Sequence, residues 1–243
     1  MDLQLTGLRA VVTGGSAGIG AAIVRALAAE GCNVAFCARN QARIDATLRS
    51  VQTLPGSVAA SAVDVTDREQ FSTWLKALGS FNIFIPNVSA LSDDWVATMH
   101  TDISATVEAT ETALPFLLRS SHAAITYIGS KAGSLPAPSS AAYGAAKAAM
   151  AHYMKSLAMR LLPAVRVNTV SPGDTLFEGG LWDGVRLQEP AKFEKVLERN
   201  PMKRLATAEE VARVVAFISS PAASFVAGAN WYVDGGSVSH VQF

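Results

Sequence analysis

The chain has 243 residues, 50% of them hydrophobic and 16% charged, enough to fill a large core in one large α/β domain or two small ones. Its 20 basic and 20 acidic residues cancel, which argues against a nucleic-acid partner. No basic segment leads into an apolar run at the start, and no uncharged apolar stretch of about 18 residues occurs, so a soluble, cytoplasmic protein without a membrane anchor is expected.

Short apolar runs alternate with longer amphipathic ones along the chain. Strands are predicted at Ala10–Thr13, Asn33–Cys37, Ala59–Val63, Ile83–Ile85, Ala124–Ile128, Arg166–Val170 and Asn230–Val233, with helical stretches between them. This alternation predicts an α/β fold, a doubly wound parallel sheet of seven strands with helices on both faces. No repeat at solenoid periods, no low-complexity tract and no Pro/Gly-rich linker divides the chain, so residues 1–243 read as one domain. Cys32 and Cys37 flank the second strand, too far apart and on opposite faces for a mutual disulfide. Both read as core or edge thiols of a reducing compartment.

The first strand feeds Thr13-Gly14-Gly15-Ser16-Ala17-Gly18-Ile19-Gly20, where an Ala-rich helix begins. Glycines here allow a tight turn and close approach of the backbone to a ligand. The amides that open the helix would then face a diphosphate. A turn with three glycines can be purely structural, but strand before and helix after is the context that a dinucleotide site requires. Where the second strand ends, a carboxylate would bind an adenosine ribose and repel a 2′-phosphate. This chain has Ala38 and then Arg39, whose planar guanidinium suits phosphate oxygens unless it merely pairs with Asp45 or faces solvent.

Later in the chain, Ala141 to about Leu162 is Ala-rich, with Met150, Tyr153, Met154, Leu157 and Leu161 at helical spacings. Tyr143 and Lys147 lie four apart and so share one face of that helix. A fixed cation beside a phenol favours its ionised form, which makes the pair a candidate for passing protons to a substrate oxygen. A core Tyr beside a surface Lys is the plainer reading of the two residues taken alone. His100, His122, His152 and His240 show no ligand spacing, so no metal site is expected.

T-G-x-x-x-G-x-G near the N-terminus followed by Tyr143-x-x-x-Lys147 resembles the short-chain dehydrogenase/reductase family, and the likeness covers essentially the whole chain. Ser130 stands where the family has its active-site Ser, and Ser171-Pro172-Gly173 matches the P-G segment beside the nicotinamide. Arg204–Ala212 and Val233-Asp234-Gly235-Gly236 look like the family's C-terminal end. The resemblance implies a catalytic set of Ser130, Tyr143, Lys147 and, at the position of an Asn, Asp102. It implies a cofactor site of Gly14, Ser16, Gly18, Ile19, Gly20, Arg39, Asp64, Val65, Asn87, Tyr143, Lys147, Pro172, Gly173 and Thr175. The Ala38-Arg39 pattern implies NADP(H), and Asp64 reads either as an adenine contact or as the N-cap of the next helix. A small-molecule carbonyl or alcohol would be the substrate, and a homo-oligomer, dimer or tetramer, the assembly. The tail Val238–Phe243 ends in an aromatic, and chain ends of relatives often lie at subunit interfaces.

The chain also departs from that pattern. The family's fourth strand usually ends in Asn-Asn-Ala-Gly, whereas here Pro86-Asn87-Val88-Ser89 follows, and Pro86 has no backbone donor. Only Ala90–Asp94 separate Ser89 from Trp95, which shortens a loop that normally walls the substrate cleft. At Asp102 the family's Asn sits at a helix kink, its carbonyl holding a water that contacts the Lys. If only the backbone matters, Asp102 substitutes with little loss; if the amide donor matters, an ionised Asp only accepts. Pairing with Lys147 and a solvent-facing position are the remaining outcomes. Many relatives have a Thr where this chain has Phe177, leaving Thr175 as a replacement. Residues 175–200 then form a substrate lid, with Leu176, Phe177, Leu181, Trp182 and Val185 apolar and Gly179-Gly180 as its hinge, or these side chains simply pack on the core. The leading expectation is hydride transfer with Tyr143 as general acid/base. A cofactor-binding regulator that has lost turnover comes second, and a dehalogenase-like lyase last.

Overall fold

The computed structural model describes residues 1–241; Gln242 and the terminal Phe243 lie outside the described residues. In chain order, β1 (Arg9–Thr13), α1 (Gly18–Ala29), β2 (Asn33–Ala38), α2 (Gln41–Val51) and β3 (Val58–Ala62) come first. Then follow α3 (Arg68–Leu78), β4 (Ile83–Ile85), α4 (Trp95–Thr98), a π-helical turn (Met99–Ala105), α5 (Thr106–Leu117) and β5 (Ala123–Ile128). The chain ends with α6 (Ala141–Leu161), β6 (Val165–Pro172), β7 (Thr175–Leu176), α7 (Leu181–Gln188), α8 (Pro190–Arg199), β8 (Ala206–Thr207), α9 (Ala208–Ser219) and β9 (Asn230–Val233).

Seven of these strands form one parallel sheet in the order β3-β2-β1-β4-β5-β6-β9. The chain steps outward from β1 to β3 and then returns to β4 beside β1, so the strand order reverses between β1 and β4. In such sheets a crevice opens at that point, beyond the carboxyl ends of the strands.

Both faces of the sheet are buried, which explains why its strands read as nearly continuous apolar runs. Neighbouring residues point to opposite faces. Val12 and Ile83 join Phe36 under Ile23 and Leu27 of α1, Ile44 of α2 and Val211 and Val215 of α9. Val11 and Phe84 instead join Ile125 and Val167 under Phe71 and Leu75 of α3, Leu117 of α5 and Met150 and Leu157 of α6. Cys32 belongs to the first cluster and Cys37 to the second, and both thiols are free. Burial pushes each of them up to about 12.

The expected strands are present with small shifts. β3 starts one residue earlier than predicted, and β6 runs on through Ser171 and Pro172 instead of ending before them. β7 and β8, a two-residue parallel pair, were not predicted; they anchor segment 175–200 to the start of α9. Within that segment Val185 and Phe193 pack with Leu205, Leu176 and Trp182 in a small cluster of their own, while Leu181 is 73% exposed. No helix among the described residues is long and apolar enough to cross a membrane.

Candidate active site

The glycine turn is stitched between its neighbours by backbone contacts. The Gly14 and Gly15 amides donate to the Cys37 carbonyl at the end of β2. From the other side, the Asn87 amide donates to Thr13 Oγ1 at 3.0 Å, and Asn87 Nδ2 donates to the carbonyls of Thr13 and Gly14 at 3.1 and 3.2 Å. Asn87 is therefore a clamp on the turn, holding it at the switch point of the sheet. Pro86, which lacks a donor, still joins the sheet by accepting from the Ile128 amide. Gly18 has φ +50, and a Cβ there would fall 2.7 Å from the Phe177 ring, so the start of segment 175–200 is seated directly on the turn.

At the end of the turn, α1 begins from Ala17 with no side-chain cap and no acidic residue in its first turn. Among the described residues its first amides therefore lack the side-chain cap that a helix start normally finds, and its dipole favours an anion. That donor set fits the diphosphate of a dinucleotide. Ser16 and Ile19 lie half-buried on the same turn.

Arg39 is 79% exposed, with its guanidinium 3.9 Å from Asp64 Oδ2. Asp45 does not take it, being held by Gln41 Nε2. Asp64 accepts from the Thr66 amide and hydroxyl, and the cap of α3 is Asp67, not Asp64. Val65 is a buried member of the sheet's second cluster.

Ser130, Tyr143 and Lys147, the residues expected to be catalytic, gather where β5 ends against α6. Ser130 Oγ accepts from the Ala132 amide at 3.1 Å, so its own hydrogen stays uncommitted among the described contacts. Tyr143 is half-buried at the start of α6, and Lys147 is buried one turn on, in an otherwise apolar face of Ala146 and Met150. Its Nζ lies 5.5 Å from the Tyr143 ring centroid. The ammonium donates to the Tyr127 hydroxyl at 3.0 Å and the Ile128 carbonyl at 3.2 Å, and it stands 3.4 Å from Asp102 Oδ1. Burial alone would lower the Lys147 pKa; Tyr127, Tyr143 and Asp102 more than offset it, so the value stands above that of an ordinary lysine. Burial raises Tyr127 in turn, and Lys147 offsets only part of that.

Asp102 is fully buried in the π-helical turn, which excludes the solvent-facing reading, and it takes the pairing with Lys147. Tyr127 was not singled out from the sequence. Pro172 is buried, and Gly173 follows at the end of β6. The Thr175 hydroxyl donates back to the Gly173 carbonyl at 3.1 Å, so it braces the P-G segment. A second unforeseen contact joins the turn after Ser130 to that segment, Lys131 Nζ donating to Asp174 Oδ2 at 2.6 Å. No group of His, Cys, Asp or Glu with metal-binding geometry occurs among the described residues.

Comparison with known proteins agrees with this architecture. Residues 14–238 match the family described as enoyl-(acyl carrier protein) reductase. Isoepoxydon dehydrogenase patN of Aspergillus clavatus is 35% identical, with 99% of this chain and 98% of that protein aligned. The structure of L-sorbose reductase from Gluconobacter frateurii, complexed with NADPH and L-sorbose, superposes with a TM-score of 0.90 at 26% identity, covering 99% of this chain and 100% of that one. An NADPH-bound short-chain oxidoreductase from Pseudomonas aeruginosa PAO1, described as containing an atypical catalytic center, gives 0.88 at 31% identity, covering 98% and 99%. Matched along nearly its whole length in sequence and in fold, the chain belongs to the short-chain dehydrogenase/reductase family of oxidoreductases.

Proposed function

We propose that the protein is an NADP(H)-dependent oxidoreductase that transfers hydride between the nicotinamide and a carbonyl or secondary alcohol of a small molecule. The observation that carries this reading is the shared face of α6, where a half-buried phenol stands one turn from a buried ammonium. When bound, NADPH would donate the hydride to a carbonyl and NADP⁺ would accept it from an alcohol; the chain supplies binding, orientation and the proton transfer. Ser130, with its hydrogen uncommitted, donates to the substrate oxygen, and Tyr143 gives that oxygen a proton or takes one from it. Lys147 holds its charge beside Tyr143 and, with the cofactor bound, would hydrogen-bond the nicotinamide ribose.

NADP(H) is favoured over NAD(H) by an exposed Arg39 with no carboxylate at Ala38, and the sorbose reductase and the Pseudomonas oxidoreductase both carry NADPH. Residues 175–200 act as the lid over the substrate, in a single domain that spans the chain. Homo-oligomerisation fits the exposed Leu118, Met159 and Leu162 at the ends of α5 and α6, and light scattering during gel filtration measures it.

A panel of ketones and aldehydes assayed with NADPH and NADH side by side tests the reading. Oxidation of NADPH by at least one carbonyl is expected. A second reading, a cofactor-binding regulator without turnover, is favoured by the pairing of Asp102 with Lys147; it predicts calorimetric binding of NADPH and silence across the whole panel.

A further inference from the structure

We propose that Tyr127 and Asp102 are positioning residues that grip the Lys147 ammonium from beneath, and that Asp102 couples this grip to the shortened loop after Asn87; the proposal rests on the hydride-transfer reading of Tyr143 and Lys147. An ammonium has three hydrogens to place. Two are committed, to the Tyr127 hydroxyl at 3.0 Å and the Ile128 carbonyl at 3.2 Å. The ammonium also lies 5.0 Å from the Tyr127 ring centroid and 5.5 Å from that of Tyr143. With only 3% of its side chain exposed, Lys147 can turn a single hydrogen toward the cleft, and its direction is fixed by the other two.

A buried cation is tolerated where acceptors and a countercharge surround it. Asp102 is that countercharge. Its Oδ1 is buried without a hydrogen-bond partner among the described residues and faces the ammonium at 3.4 Å. Its Oδ2 accepts from the Ala90 amide at 2.9 Å. One carboxylate thus spans from the catalytic lysine to the cleft wall. Asp102 lies within the π-helical turn, a form that departs from the α-helical hydrogen-bond ladder and recurs at functional sites. The ionisable groups that face Lys147 are Asp102 from this turn, Tyr127 from β5 and Tyr143 from its own helix.

The test combines the pH profile of kcat/KM for carbonyl reduction with hydrogen exchange in peptides covering residues 88–94. Asp102→Asn removes the charge and keeps an acceptor for Ala90. Its alkaline limb should move to lower pH by about one unit or more, with exchange as in the wild type. Tyr127→Phe should move the limb the same way, again without faster exchange. Asp102→Ala should do both, shifting the limb and speeding exchange in the loop. A limb that stays in place in Asp102→Asn and Tyr127→Phe, or a loop that exchanges no faster in Asp102→Ala, overturns the proposal. A wild type that reduces no carbonyl defeats the functional reading instead, and the exchange comparison still decides whether Asp102 holds the loop.

Discussion

Tyr143→Phe keeps the ring beside Lys147 and deletes only the hydroxyl. Loss of a positioned proton donor should lower kcat by about a hundredfold or more while NADPH affinity stays near the wild-type value; stopped-flow reduction and fluorescence titration separate the two. Arg39→Ala should weaken NADPH at least about tenfold, the range for hydrogen bonds to a charged group, and leave NADH affinity almost untouched. Equal losses for both cofactors would count against a 2′-phosphate role. The shared face of Tyr143 and Lys147 was legible because four residues make about one helical turn, whereas Ser130 was singled out only through the family resemblance. Tyr127 was not. Ile125-Thr126-Tyr127 reads as ordinary strand interior, and nothing local signals that its hydroxyl meets a lysine 20 positions later.

At the scale of single elements, α9 shows how a helix start is fixed. Thr207 Oγ1 accepts from the Glu210 amide while the Glu210 carboxylate accepts from the Thr207 amide, a reciprocal cap. Thr207→Ala should cost about 1 kcal/mol in denaturant unfolding. The bidentate Arg204 pair, followed by the Thr207 amide, lowers Glu210 from 4.5 to about 2. A carboxylate lowered in the folded state stabilises above its unfolded value, and that stability is lost as pH falls from 4.5 toward 2. Glu210→Gln should therefore flatten the acid side of the Tm profile across that window. The long elements were readable from periodicity. The two-residue strands β7 and β8 are too short to carry any, and the π-helical turn has no composition that sets it apart from the α-helices on either side of it.

For the whole molecule, cofactor binding and folding are linked. NADPH at a hundredfold excess over its Kd should add about 2.7 kcal/mol, raising Tm by about 5–11 °C for a chain of this length; NADH at equal concentration should raise it far less. A seven-stranded parallel sheet with helices on both faces followed from the alternation of runs, whereas the contact between Phe177 and Gly18 is a tertiary event between residues far apart in sequence and had no local sign. The two cysteines lie beneath opposite helical layers of the sheet, each protonated at neutral pH and closed to solvent. An alkylating reagent added to the native protein meets neither sulfur until the layer above it lifts away. The two labelling rates, resolved by peptide mass, thus act as separate clocks for the two sides. Matching rates mean the sheet is stripped on both sides at once, and unequal ones name the side that peels first.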